Sequence, residues 1–210
     1  MLLGLLAILA VAGVAVALTI GGSSASQEPR KLANSEFHAE GVLSPPRPAP
    51  ALALRNYLGQ PVNIASYRGK AVLVTFLYTH CPDVCPLTMA HLHVVMQKLG
   101  KRADDARILF VSVDPGRDTP AILHAYVNAF DSHAVGLTGK PRAVEALVKR
   151  YRSAFTREPA SKDGNYEVSH SSAIYVFDRD GNPRVLFTPA GKQDDLVHDL
   201  QLLLGDGSPT

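Results

Sequence analysis

The two cysteines of this chain, Cys81 and Cys85, lie close together in the stretch CPDVCP. A continuous apolar run (AVLVTFLY, residues 71–78) precedes them, and a segment with helical periodicity (residues 86–99) follows. The first turn of a helix has unpaired N–H groups and a partial positive charge, which favour thiolate over thiol and lower a cysteine pKa. Because thiolates attack disulfides and bind soft metal ions, this placement predicts redox or metal chemistry.

The spacing of the pair permits both kinds of chemistry. Side chains four residues apart on one helical turn face the same way, with Cβ atoms roughly 5 to 6 Å apart. A disulfide needs Cβ atoms about 4 Å apart, so a small adjustment of the loop closes one. The plain alternative is a structural disulfide, but closing so small a loop removes little chain entropy and stabilises weakly.

A metal bound by two thiolates needs a further ligand, and the sequence contains eight histidines. Two thiolates suit Cu(I) or Zn, and a copper site adds an imidazole. His170 lies just before a predicted strand, where a loop at the sheet border can present its side chain to the cysteines. The alternative for His170 is an ordinary exposed loop histidine. His80 adjoins Cys81 but is expected to point away from the pair.

The elements that must position these residues alternate along the chain. Buried strands are predicted at residues 71–78 and 107–113, because both are continuous β-branched and aromatic runs. The turn signal DRDGN at residues 178–182 predicts a hairpin of residues 172–177 and 184–188. Helices are predicted at residues 86–99, 141–155 and 194–204, and one more begins after Thr119, a good N-cap. This order predicts an α/β fold of the thioredoxin type, a mixed central sheet covered by helices.

Composition limits the remaining possibilities. With 21 Lys plus Arg and 19 Asp plus Glu, the net charge is only +2, and no basic cluster predicts a nucleic-acid partner. Two cysteines exclude a four-cysteine zinc or iron–sulfur site. Residues 1–20 are apolar except Gly4, Gly13 and Thr19, and as a helix they would span roughly 30 Å, the thickness of a bilayer core.

We therefore expect four regions along the chain. Residues 1–20 are predicted to be one N-terminal transmembrane helix, although a cleaved signal peptide remains open. Residues 21–50, which end in SPPRPAP, are predicted to be a flexible Pro-rich spacer. Residues 51–204 form the folded domain, and residues 205–210 form a tail. The expected location is the bacterial inner membrane, with the soluble domain on the periplasmic side.

Three separated motifs resemble one known family. They are GKAVLVTFLYTHCPDVCP at residues 69–86, VSVDPGRDTP at residues 111–120 and VSHSSAIYVFD at residues 168–178. Together, and in this order, they resemble the SCO/SenC copper chaperone family. The resemblance implies a thioredoxin-like fold in which Cys81, Cys85 and His170 bind copper, as Cu(I), Cu(II) or both.

The resemblance also implies a function and a partner. Members of this family deliver copper to the binuclear centre of cytochrome c oxidase subunit II, reduce its cysteines, or do both. Other copper carriers and thiol reductants are further candidate partners. Asp114 and Asp118 match the acidic residues of the family's DPxRDTP motif, where they either support the copper ligands or only turn the chain and cap a helix.

Three activities follow from these observations. The first is a membrane-anchored metallochaperone, which carries copper rather than catalysing a reaction. The second is a thiol–disulfide oxidoreductase, with Cys81 as the attacking thiol and Cys85 as the resolving one. The third is a peroxidase, which the spacing of Thr79 and Cys81 disfavours, because a peroxidatic cysteine needs a Thr-x-x-Cys setting. An exchange enzyme has little need of a distant imidazole, so His170 favours copper binding.

Overall fold

A computed structural model describes residues 32–43 and 51–205. Its strands are β1 (Gly41–Val42), β2 (Leu54–Arg55), β3 (Pro61–Val62), β4 (Ala71–Leu77), β5 (Ala106–Ser112), β6 (Ala134–Leu137), β7 (Phe155–Arg157), β8 (Val168–His170), β9 (Ile174–Phe177) and β10 (Pro183–Phe187). The main sheet has six of these strands in the order β1-β10-β9-β4-β5-β6, and two separate hairpins are formed by β2 with β3 and by β7 with β8. The helices are α1 (Val84–Leu99), α2 (Pro120–Phe130), α3 (Pro141–Arg150) and α4 (Gln193–Leu204).

Strand β4 lies near the middle of the main sheet. It pairs in parallel with β5 and antiparallel with β9, and all seven of its residues are buried. A strand covered on both faces needs apolar side chains at every position, which explains the continuous run seen in the sequence. Because β4 and β5 are parallel, the segments that follow them leave the same edge of the sheet. The cysteines follow β4, and Asp114 and Asp118 follow β5.

The helices begin and end for local reasons. Helix α1 buries a face that includes Met89, Leu92 and Met96, and it packs against α2 and α4. Thr119 caps α2 as predicted, because its side-chain oxygen accepts the Ile122 N–H at 3.3 Å. Helix α3 buries Val144, Leu147 and Val148, the apolar stripe of an amphipathic helix.

The mixed α/β fold and its two central strands confirm the prediction, whereas the end of α3 corrects it. The predicted helix ran to residue 155, but α3 ends at Arg150, and Phe155 begins β7. The chain turns at Arg152, whose φ of +53° is left-handed, and Ser153 N–H then bonds back to Val148 O. This is the usual glycine-type helix end, formed here without a glycine.

The N-terminal boundary of the domain is also corrected. Residues 32–43 were predicted as part of the spacer, but they include a short 3₁₀ helix (Asn34–Glu36) and strand β1, which pairs with β10. Phe37 is buried, and the Asp199 carboxylate accepts the N–H groups of His38 and Ala39. The folded domain therefore begins before residue 51. The predicted membrane helix at residues 1–20 lies outside the described residues, and within them no helix is long and apolar enough to cross a membrane.

Candidate metal and thiol site

The cysteines occupy the connection between β4 and α1. Cys81 lies in the loop ahead of the helix, and Cys85 is in its first turn. The first N–H groups of a helix have no partner within it. One of these, the Cys85 N–H, donates to Cys81 Sγ at 3.4 Å. No disulfide joins the two residues, so both sulfurs are free to act as thiols or as metal ligands.

His170 reaches the same place from a distant part of the chain. It is the last residue of β8, where it pairs with Phe155 of β7, rather than a loop residue as predicted. Its Nε2 lies 3.2 Å from Cys85 Sγ, and its Nδ1 lies 3.2 Å from Ser171 O. A carbonyl only accepts, so Nδ1 carries the proton and Nε2 keeps its lone pair towards the sulfur.

The structure thus brings together the three residues that the sequence singled out. The two sulfurs and one imidazole nitrogen all lie within 4.8 Å of one another. Within residues 32–43 and 51–205, no other group of three His, Cys, Asp or Glu side chains is arranged to hold a metal ion. Two thiolates and an imidazole form a soft donor set that suits Cu(I) or Zn.

The protonation of the site is governed by burial. Burial raises the pKa of Cys85, and the nearby Cys81 and Asp118 raise it further against a backbone hydrogen bond that lowers it. Burial likewise lowers the pKa of His170. The expectation that the helix N-terminus would lower the cysteine pKa is wrong for Cys85. Both groups favour their neutral forms, so a metal ion that binds here displaces the Cys85 proton.

The two sulfurs differ in access. Cys81 is 9% exposed, whereas Cys85 is 0% exposed. A cleft of about 490 Å³ opens beside this loop, with His80, Pro82 and Tyr166 in its lining. A reacting molecule therefore meets Cys81 first.

Asp118 is completely buried and joins the ends of two central strands. Its carboxylate accepts the Thr79 N–H, the Thr79 hydroxyl at 2.6 Å and the Ser112 hydroxyl at 2.6 Å. His80 turns towards Asp118, at 3.5 Å, and does not join the donor cluster, as predicted. Asp118 thus fixes the start of the cysteine loop relative to β5.

Asp114 is equally buried but faces different partners. Its carboxylate accepts hydrogen bonds from the Tyr166 hydroxyl at 2.7 Å, from Arg157 Nη2 at 3.2 Å and from Arg117 Nε. Neither Asp114 nor Asp118 belongs to the metal-binding cluster. Both support the segments around it.

Tyr78 is a site residue that sequence reasoning missed. Its ring meets the His170 ring edge-on at 5.7 Å between centroids, and its hydroxyl accepts the Val168 N–H at 3.3 Å. Burial raises the pKa of Tyr78, so the hydroxyl stays neutral. The available signal was its place at the end of β4, three residues before Cys81.

A thioredoxin-like domain with two free cysteines and a histidine in one cluster defines a class of proteins that handle thiols and soft metals. The SCO1/SenC family model matches residues 46–205. The chain therefore belongs to the SCO1/SenC family.

Relatives from several organisms agree with this membership. The chain is 38% identical over 131 residues to mouse "Protein SCO2 homolog, mitochondrial", covering 61% of this chain and 51% of that protein. It is 31% identical over 124 residues to the "SCO2-like protein" of Rickettsia felis, covering 59% and 60% respectively. The chain thus spans about half the length of the mouse relative and three fifths of the Rickettsia one.

Solved structures match the fold over nearly their whole length. Bradyrhizobium japonicum ScoI with copper bound is 36% identical, with a TM-score of 0.68, and the match covers 75% of this chain and 99% of that one. Yeast Sco1 with copper bound is 27% identical, with a TM-score of 0.69, and the match covers 79% and 92%. The folded domain is thus the part of this chain that resembles copper-binding proteins.

Proposed function

We propose that this protein is a metallochaperone that carries copper on Cys81, Cys85 and His170 for cytochrome c oxidase assembly. The observation that carries the proposal is the convergence of two sulfurs and one imidazole nitrogen within 4.8 Å. Two similar structures are described as having copper bound. Copper is the cargo here, as Cu(I), Cu(II) or both, and the thiolates favour Cu(I).

The proposed recipient is the binuclear copper centre of cytochrome c oxidase subunit II. Delivery proceeds by ligand exchange, in which recipient thiolates replace the carrier's ligands one at a time. The more exposed Cys81 is the ligand that a recipient reaches first. The cleft beside His80 and Pro82 leaves room for the recipient's chain. Other copper carriers are candidate donors for loading the site.

The test is Cu(I) competition against a chromophoric chelator under reducing conditions. We expect the unmodified protein to hold one copper and His170→Ala to hold it at least about tenfold more weakly, because one of three ligands is gone. His80→Ala is the matched control, since His80 adjoins Cys81 but turns towards Asp118. Equal affinity in the His170→Ala protein would exclude the imidazole from the ligand set.

We propose that residues 1–20 anchor this domain in the bacterial inner membrane, with the domain on the periplasmic side. The support is the uncharged, almost entirely apolar sequence of this segment. Residues 21–31 then join the anchor to the domain. Residues 44–50 are a Pro-rich connection inside the domain, and residues 206–210 are the tail. Carbonate extraction of membranes tests the anchor, because an integral helix resists it and a cleaved signal peptide leaves the domain in solution.

A thiol–disulfide reductase is the second candidate, and the unequal exposure of the two free cysteines favours it. The Cys81 thiolate attacks a disulfide of subunit II or another exported protein, which forms a mixed disulfide and releases one partner thiolate. Cys85 then attacks Cys81 Sγ, which releases the second partner thiolate and leaves a Cys81–Cys85 disulfide. The partner gains two electrons, and an external thiol reductant restores the pair.

The Cys85→Ser protein tests this reaction because it lacks the resolving thiol. We expect it to accumulate a mixed disulfide with an oxidised copper-site domain of subunit II, detected by non-reducing electrophoresis. Cys81→Ser is the matched control, which keeps one buried thiol and should trap none. Trapping by both variants, or by neither, would contradict the assigned order of attack.

A further inference from the structure

The hairpin that carries His170 is not part of the main sheet. Strands β7 and β8 form a separate two-stranded sheet with three residue pairs. The hydrogen bonds of the main sheet therefore do not fix the distance between His170 and the cysteines. Other contacts must hold the hairpin in place.

Four side chains at the base of the hairpin form one cluster around the buried Asp114 carboxylate, with Arg117 and Tyr166 half-buried and Arg157 exposed. We call this cluster the Asp114 clasp: Asp114, Arg117, Arg157 and Tyr166. The Asp114 carboxylate accepts hydrogen bonds from all three of the others. The Tyr166 ring lies close to both guanidinium groups. Its centroid is 3.6 Å from Arg117 Cζ and 4.6 Å from Arg157 Cζ. Such cation–π contacts add to the ion pairs they accompany.

The clasp joins the hairpin to a rigid base. Arg157 is the last residue of β7 and pairs with Val168 of β8, and Tyr166 comes two residues before Val168. Asp114, by contrast, follows β5, where its N–H donates to the Ser112 hydroxyl at 3.0 Å. One carboxylate thus joins β7, and the segment that leads into β8, to the residues that follow β5.

The clasp also faces the residue that contacts His170. The Arg117 guanidinium lies 5.8 Å from the ring centroid of Tyr78. Tyr78 in turn accepts the Val168 N–H and meets the His170 ring edge-on. The clasp therefore contacts the hairpin from one side and the end of β4 from the other.

We propose that the Asp114 clasp positions His170, so that its contacts determine whether Nε2 reaches the metal. Asp114 and Tyr166 each contact all three other members, and Tyr166 is the positioning residue to test because it lies two residues before Val168 of β8. The inference rests on the proposed function only in treating His170 as a copper ligand. Its direct effect, the placement of β8, exists in the metal-free protein as well.

Two measurements on Tyr166→Ala test the proposal. In the metal-free protein, we expect faster hydrogen exchange at the Val168 and Ser171 amides, which hold β8 through Tyr78 and Ala154. In Cu(I) competition, we expect the affinity for Cu(I) to fall about tenfold, which is the lower end of the range for substitutions of residues that orient a metal ligand. Tyr57→Ala is the matched control, because it removes a tyrosine whose ring also packs on a neighbouring side chain, His124, but which lies in the turn between β2 and β3.

The same substitution in a His170→Ala background separates positioning from general destabilisation. If Tyr166 acts through His170, Tyr166→Ala lowers the affinity for Cu(I) in the unmodified protein. In the His170→Ala protein it causes no further loss of affinity. An equal loss in both backgrounds would overturn the proposal, as would no loss and unchanged amide exchange.

The experiment also gives a clear answer if His170→Ala has no effect or if Tyr166→Ala does not fold. If His170→Ala alone leaves affinity unchanged, the ligand assignment fails, and amide exchange still decides the clasp. If Tyr166→Ala does not fold, Tyr166→Phe takes its place, since it removes only the hydroxyl bond to Asp114. That variant should still speed exchange at Val168, and unchanged exchange would count against the clasp.

Discussion

The two sulfurs of this site have different chemical environments although they are neighbours. Cys85 is fully buried beside Cys81 and Asp118, both of which oppose a second negative charge. Cys81 is slightly exposed and accepts the Cys85 N–H. The pair therefore divides its roles, with one accessible sulfur and one protected sulfur next to His170.

This difference predicts unequal alkylation. We expect iodoacetamide to modify Cys85 in the Cys81→Ser protein more slowly than Cys81 in the Cys85→Ser protein at pH 7, because Cys85 is fully buried and burial raises its pKa, which lowers its thiolate fraction. The raised pKa of Cys85 also means that its rate keeps rising with pH above the range of an ordinary thiol. Mass spectrometry of timed samples gives both rates, and equal rates would contradict the assigned asymmetry.

The Asp131 carboxylate links helix α1 to the residue that precedes β6, the strand at one end of the main sheet. Asp131 follows α2, and its carboxylate accepts the His133 N–H at 2.8 Å, His133 Nδ1 at 2.7 Å and His93 Nδ1 of α1 at 2.9 Å. Burial alone would raise the pKa of Asp131, but these hydrogen bonds outweigh it and lower the pKa. The carboxylate thus favours the folded state when ionised.

Asp131→Asn should destabilise the domain by about 1.5 to 3 kcal/mol at pH 7, the range for hydrogen bonds to a charged group. Because the folded pKa lies below the unfolded one, this contribution is fully present above the unfolded pKa and is lost as the pH falls through the folded pKa. Urea unfolding at several pH values measures it. Asp194→Asn is the control, since its ion pair with Lys98 is exposed and contributes little.

Elements with a strong local pattern were predictable from the sequence. The runs that became β4 and β5 are apolar at nearly every position, and Thr119 with Pro120 marks the start of α2. The short strands β7 (FTR) and β8 (VSH) have no such pattern, and only their pairing with each other makes them strands. Helix α3 was predicted too long because Arg152, and not a glycine, takes the left-handed conformation at its end. A glycine there would have marked the end of the helix in the sequence.

The site was predictable in part for the same reason. Cys81 and Cys85 are local to one loop, so their proximity follows from spacing. His170 is 85 residues from Cys85, and position alone left it one of several candidates until the family motifs singled it out. The contacts of Asp114 with Arg157 and Tyr166 join residues 43 and 52 positions apart, which no spacing rule reveals.

For the whole molecule, metal binding should be coupled to folding through the histidine. In the unfolded chain the two cysteines are still only four residues apart, so the chain retains some affinity for copper. Only the additional affinity of the folded state therefore adds to the free energy of unfolding. Each tenfold gain in affinity on folding is worth about 1.4 kcal/mol.

We therefore expect saturating Cu(I) to raise the Tm of the unmodified domain by several degrees, about 2 to 4 °C per kcal/mol for a chain of this size. The rise should be smaller for His170→Ala. Calorimetry under reducing conditions measures both shifts, and equal shifts would contradict the coupling.

The separation of the three donors along the chain also has a kinetic consequence. Contacts between residues close in sequence form with a small loss of entropy, whereas distant ones must first close a long loop. The two sulfurs meet within one loop, but His170 lies 85 residues from Cys85 and arrives only when that much longer loop has closed. We expect a refolding chain to acquire its dithiol early and its imidazole late, so that the complete binding site is among the last features to form.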